Sequence, residues 1–567
     1  MSIRKDEGKS VKKIVVVFLV TAVAAVGAVG LSACGGGGSD TTNGGGGSSE
    51  GEGKEGGILT GTFASFPDYM DPQLSYTAEG WTAMGEVYIP LLTYKHADGA
   101  EGAEVVPGLA KEMPKISNGE KTYTFFLRPG LKYSDGKPVK ASDFPYAIER
   151  LFKVNSGGSV FYTSIVGAEK FAKTKTGGIP GIKTDDKTGE IQVTLEKPRG
   201  TFENEVALMF AAPVPAGTPN EDLSANPPPG TGPYKIINVK VGQGWEYERN
   251  PDWTKTNSKL MPEYPSGHID GAKITVIRNP QTQVNDIEQG KIDWMQNPVP
   301  AARYTEVKEK YEGSQFVVRP TISTYYFWMK TDRPPFDDQK VREAINYAVD
   351  PAALERIYSG QIKATQQILP PGLPGYKKFE LFPHDITKAK ELLKEANPSD
   401  MDITVWTDTE SPNNEAGEYY EGVLKEIGFN TTLKIINADN YFTVIGNQST
   451  PNLDTGWSDW FQDYPHPNDF FQPLLAGESI LQTNNGNFAN FDNPTFNAEI
   501  KKLGEEQLGP EQEAAYSKLD EEVMKEAPWA PYGTRTLDTF VASNINLENI
   551  IYSRTFFEYL TSFEFNE

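Results

Sequence analysis

Ile403-Thr404-Val405-Trp406, the segment Glu418 to Ile427, and Thr432-Leu433-Lys434-Ile435-Ile436 form the stretch that decides the fold class. They read as strand, helix and strand, a βαβ unit whose crossover is right-handed. The alternation extends upstream to about Tyr325. There Asp337 or Asp338 caps a helix with Val341, Ala344, Ile345 and Ala348 on one face. Asp350-Pro351 ends that helix and starts another, which Gly360 closes. Asp385 caps a third, with Ala389, Leu392, Leu393 and Ala396 inward. An α/β lobe over residues 325–528 is the expectation.

Downstream, Thr455 to Phe471 crowds aromatic rings, two prolines and the carboxylates of Asp459, Asp463 and Asp469 into one segment. The prolines forbid a regular helix or central strand through Tyr464–Asn468, so the segment reads as a stiffened loop. It hangs from a strand end, where open α/β sheets bind ligands. Flat rings beside acids suit a cleft that receives a positively charged group. The plainer alternative is a buried aromatic corner with solvated acids.

In the first half, Gly57 to Phe63 reads as a strand, Asp71 to Tyr76 as a turn, and Trp81 to Leu92 as a helix. A compact α+β block follows. Its strands are Thr122–Leu127 and Ile191–Leu195, with a helix capped by Ser142 or Asp143 between them. Pro227 to Lys235 is glycine-rich but lacks either phosphate-loop spacing, and Pro233 has no amide donor, so it reads as a bent strand entry. Strands at Trp245–Arg249 and Lys273–Ile277 come next.

A chain of 567 residues is too long for one core, and two or three domains are expected. The formal net charge of -23 leaves nothing basic to track a nucleic-acid backbone, and cationic or zwitterionic partners are favoured over anionic ones. Arg4, Lys5, Lys9, Lys12 and Lys13 precede an apolar run from Ile14 to Gly30, the order of a secretory signal. Leu31-Ser32-Ala33-Cys34 resembles a bacterial lipobox, which makes Cys34 the lipidation site and anchors the protein at the outer face of the cell membrane. Residues 1–33 would be removed, and the Gly/Ser-rich residues 34–56 would form a flexible tether. Cys34 is the only cysteine, so disulfides and cysteine-bound metals are excluded within the chain. His96, His268, His384 and His466 lack metal-ligand spacing and read as surface or turn residues; no metal and no cofactor is expected.

Four segments together resemble the bacterial extracellular solute-binding proteins of the oligopeptide- and dipeptide-binding type. They are Thr124 to Val139 (TFFLRPGLKYSDGKPV), Gly230-Thr231-Gly232-Pro233-Tyr234-Lys235, Pro335 to Ala344 (PFDDQKVREA), and the aromatic segment. The resemblance covers 57–567. It implies a periplasmic-binding-protein-like α/β architecture, with mixed sheets and a cleft between two lobes built from three domains. Domain I takes 57–93, 200–324 and 529–567, domain II is the inserted block 94–199, and domain III is 325–528. It also implies extended peptides held between domains I and III and passed to an ABC transporter permease; a monomer is expected. In peptide-binding members an aspartate of a Trp-x-x-Asp-Tyr pattern pairs with the ligand's ammonium, and Trp460-Phe461-Gln462-Asp463-Tyr464 places Asp463 there. Trp460 and Tyr464 are then neighbouring walls, with Trp457, Tyr76 and Tyr325 as further candidates. His466 stands where the family usually has an acid. Nickel chelates, oligosaccharides and signalling peptides are alternative ligands on the same architecture. A tethered hydrolase using Asp459 and Asp463 as an acid–base pair is a distant rival, and no His-Glu-x-x-His occurs.

Overall fold

The computed structural model describes residues 54–99, 101–553 and 557–566. The signal, the lipobox and most of the tether therefore lie outside the described residues. A single sheet of 12 strands runs through the body. In chain order these are β1 (Ile58–Phe63), β2 (Tyr234–Lys240), β3 (Gly244–Arg249), β4 (Gly271–Val276), β5 (Trp294–Met295) and β6 (Phe316–Pro320). Then come β7 (Ser323–Met329), β8 (Ile362–Ala364), β9 (Asp402–Asp408), β10 (Asn430–Ile436), β11 (Thr455–Phe461) and β12 (Trp529–Val541). The spatial order is β10-β9-β11-β7-β12-β5-β1-β4-β3-β2, with β6 and β8 also pairing with β12. A separate four-stranded antiparallel sheet lies in the block after Tyr94.

The βαβ unit is present, with β9 and β10 parallel from Asp402↔Asn430 to Asp408↔Ile436. Its helix is longer than expected, Asn413–Ile427. Asp338 and Asp385 cap their helices, accepting from the amides of Lys340 and Lys388. β7 is buried at every residue, which accounts for the absence of any charged side chain along it. Tyr326 stacks on Trp529 at 3.7 Å, and Phe327 on Tyr420 at 4.0 Å.

Two expectations are corrected. The first half of the aromatic segment is a central strand, not a loop. β11 pairs antiparallel with all of β7 and parallel with Val405–Trp406. The prolines act only beyond Phe461, and by Asn468 the chain has entered the helix Asn468–Leu475. The helix expected over Trp81–Leu92 is instead Ala78–Met84, started by Thr77, whose side chain accepts from Gly80 N. Leu92–Tyr94 is extended because it pairs with Val105–Pro107. The bend before β2 needs its glycines. A Cβ on Gly230 would lie 2.1 Å from Val87 O, and one on Gly232 would lie 2.2 Å from Glu86 O.

Two large hydrophobic clusters flank the middle of the sheet, one drawn mainly from residues 59–294 and the other from 322–532. The first is pinned at its centre by a fully buried ion pair. Arg150 Nη1 and Nη2 each donate to Asp71 at 2.6 Å. The remaining guanidinium bonds go to Gln73 Oε1 at 3.0 Å and to the carbonyls of Pro219 and Glu221, both at 2.8 Å. Neither side chain is exposed. Replacing Arg150 with Met should strand a carboxylate in the core and cost about 3–5 kcal/mol. Denaturant unfolding of Arg150→Met checks this, and a loss under about 1 kcal/mol would place the pair among marginal contacts.

Candidate functional site

Strand ends converge on one cavity of about 210 Å³. Ala64–Phe66 follow β1, Gln296–Pro298 follow β5, Glu410 follows β9, Ala438 follows β10, and Gln462–Asp463 follow β11. Tyr76 to Glu79, at the start of the helix Ala78–Met84, close a further side, and β12 crosses with Arg535 and Leu537. The walls thus come from both hydrophobic clusters, at the carboxyl ends of the strands, where α/β sheets expose loops to a ligand. Polar contacts tie the two sides together across it. Asp439 accepts from Arg278 Nη2 at 2.6 Å and from Phe66 N at 2.8 Å. Tyr76 OH donates to Asp463 Oδ2 at 2.7 Å.

Seven carboxyl groups line the cavity against one guanidinium, Arg535. Three are already provided for. Asp68 accepts from Tyr69 N, Tyr76 N, Ser75 Oγ and Thr77 Oγ1. Asp439 holds Arg278. Asp408 accepts from Glu410 N at 2.7 Å and Asn413 Nδ2 at 3.2 Å. Asp463, Asp459, Glu79 and Glu410 remain, and none has an ion pair among the described residues. Burial pushes Asp463 up to about 8, although the Tyr76 bond works the other way. Burial also raises Asp459 to about 6, opposed by a bond from Tyr325. Glu79 is pushed up to about 8 by burial and then by the charges of Glu410 and Asp459, which sets these three groups near one another.

Behind Asp463 lies Asp469, which is fully buried. Its Oδ2 accepts from Asp463 N at 2.8 Å and Trp460 Nε1 at 3.2 Å, so it orients both the carboxylate and the indole. Burial, and then the charge of Asp463, holds its carboxyl well above the ordinary range.

Of the residues picked out by sequence, Asp463, Trp460, Trp457, Tyr76 and Tyr325 all line the cavity. Tyr76 meets Trp460 edge-on at 5.5 Å. Trp457 Nε1 donates to Tyr532 OH at 2.9 Å, and Tyr325 OH accepts from Arg535 Nη1 at 3.3 Å. Tyr464 does not line it. Its ring is wholly buried in the first hydrophobic cluster, edge-on to Phe161 at 6.0 Å. His466 sits in the turn as expected but is buried, and Nδ1 accepts from Asn468 N at 3.1 Å. Burial lowers it to about 3, so it is neutral and supplies no charge in place of the family's acid. Glu79, Glu410, Gln462 and Arg535 were not anticipated. Glu410 carried a usable signal, its place just beyond a strand of the βαβ unit. No three or more His, Cys, Asp or Glu side chains among the described residues are disposed to hold a metal ion. No helix among them is long and apolar enough to cross a membrane.

The model of the bacterial extracellular solute-binding proteins, family 5 Middle, matches residues 104–481. The chain belongs to that family. Heme-binding protein A of Haemophilus influenzae is 26% identical over 82% of this chain and 85% of its own. The oligopeptide-binding protein OppA of Bacillus subtilis is 25% identical over 92% of this chain and 94% of its own. Among solved structures, the periplasmic binding protein DppA of Helicobacter pylori, in complex with the peptide STSA, superposes with a TM-score of 0.77. It is 21% identical and covers 91% of this chain and 99% of that one. The α/β binding-protein fold expected from sequence is therefore present.

The buried acids make stability depend on pH in a definite sense. Each holds its proton more tightly folded than unfolded, so between about pH 4 and pH 8 the native state binds more protons, and stability falls as pH rises. Asp520, Asp538 and Glu558, all raised to about 7 by burial, act in the same direction. Ligand-free protein should melt lower at pH 8 than at pH 5, and Asp463→Asn should flatten that slope. Thermal scans at constant ionic strength decide it; a melting point that rises over this range contradicts the assignment.

Proposed function

We propose that this protein captures peptides between two closing lobes at the outer face of the cell membrane and passes them to an ABC transporter permease. It acts as a monomeric receptor rather than an enzyme, with domain I at 57–93, 200–324 and 529–567, domain II at 94–199, and domain III at 325–528. One observation carries the reading. Asp463 is 6% exposed at the cavity wall and has a tyrosine hydroxyl but no cation beside it. A carboxylate so placed lacks a positive partner, and a peptide's α-ammonium supplies one with a charge-assisted bond. Trp460, Tyr76 and Trp457 add ring faces and edges around that point. Relatives named for oligopeptides support a peptide over other solutes. One relative is named for heme, but porphyrin carboxylates would meet further carboxylates here, which disfavours that ligand.

Removing one member of a desolvated charge pair costs about 3–5 kcal/mol, a fall in affinity of more than a hundredfold. Asp463→Ala should lose tight peptide binding, and N-acetylation of the peptide should damage wild-type binding by a similar factor. Because both remove the same interaction, the losses should not add. Calorimetry on the four combinations tests the pairing, and additive losses would take Asp463 away from the ammonium.

Anchoring rests on the lipobox resemblance at Leu31 to Cys34. Cys34→Ala should leave an uncleaved precursor or release the protein to the medium. Intact-mass measurement of the mature wild-type protein should find a diacylglyceryl addition on Cys34, and an unmodified thiol there would refute the anchor.

A further inference from the structure

The cavity holds more carboxyl groups than one terminal ammonium can use. With Asp463 assigned to that ammonium, Glu79, Glu410 and Asp459 still line the same space without an ion pair among the described residues. Arg535 reaches neither Asp459 nor Glu410 as a salt-bridge partner; it donates to Tyr325 OH and lies over the rings of Tyr325 and Tyr358. Glu410 Oε1 is buried with no hydrogen-bond partner. A second feature is independent of the acids. Gln462 lines the cavity, is 2% exposed, and neither its Oε1 nor its Nε2 has a partner. A buried carboxamide with both ends open is costly unless something supplies a donor and an acceptor together, and a peptide group does both.

We infer that the ligand is a peptide with a basic side chain as well as its terminal ammonium, the side-chain charge seated among Glu79, Glu410 and Asp459 and a peptide group bridged by Gln462. The inference rests on the peptide reading above and narrows it. A single ammonium leaves the three acids repelling one another in a poorly hydrated space. A lysine or arginine head satisfies them directly, and its aliphatic stem suits the aromatic wall. An acidic side chain at the same place would be rejected by like charge.

The test is calorimetry of the purified protein with Ala-Ala-Ala, the three single-lysine tripeptides, Ala-Glu-Ala and spermidine. The best lysine peptide should bind more than about tenfold tighter than Ala-Ala-Ala, with Ala-Glu-Ala weaker than both. In Glu79→Gln and in Glu410→Gln the ratio between the lysine and alanine peptides should shrink toward one. In Gln462→Leu every peptide should weaken while the ratio persists. Equal affinity of the alanine and lysine peptides, or a lysine advantage that survives both glutamine variants, overturns the inference and leaves the peptide reading standing. Spermidine binding where no tripeptide binds overturns both, because the cavity then serves a polyamine.

Discussion

A carboxylate shut away from water must find a cation, a set of donors or a proton, and this requirement orders the molecule from its core to its cavity. Asp71 finds Arg150, and the pair is completed by Gln73 and two carbonyls so that no bond is left over. Asp68, three residues earlier, is given four donors instead. These two acids freeze the turn from Asp68 to Thr77, and the turn delivers Tyr76 to the hydroxyl contact with Asp463. At that point the provision stops. The same rule that explains the frozen turn identifies the acids at the cavity as incomplete.

Incompleteness of that kind separates a binding surface from a scaffold. A carboxylate already holding an arginine has nothing to offer a ligand, and Asp439 with Arg278 serves to join the two sides of the cavity. Asp469, whose Oδ2 takes both the Asp463 amide and the Trp460 indole, is spent on geometry. Only groups left without charge compensation can gain much from a visitor. Discrimination against anionic solutes then follows from the lining itself, without a clash designed for each of them.

Much of the site was legible because it lies on one continuous piece of chain. Trp457 and Trp460 sit on β11, Asp463 lies two residues past its end, and the strand's place in an α/β sheet says which end faces a ligand. Tyr464 shows where that reasoning fails. Past Phe461 there is no strand period to say which way a ring points, and this one turns into the cluster formed by the first half of the chain. β11 runs through Phe461 because Pro465 and Pro467 restrict only the chain that follows it. Glu79, Gln462 and Arg535 were invisible for another reason. Their meaning comes from segments hundreds of positions apart meeting at one cavity, and nothing local in Arg535 reports that its strand crosses there.

That strand has a consequence for the order of assembly. Trp529–Gly533 pairs with β7, Gly533–Arg535 with β8, Thr536–Phe540 with β6, and Phe540–Val541 with β5. Each partner was synthesised long before it, so the sheet is closed by contacts distant in sequence, the kind that form slowly. Until β12 is in place, β7 and β5 share no neighbour in the sheet. The chain thus carries its own delay. The cavity likewise gains Arg535 and Leu537, and with them its last wall, only when that closing strand is in place.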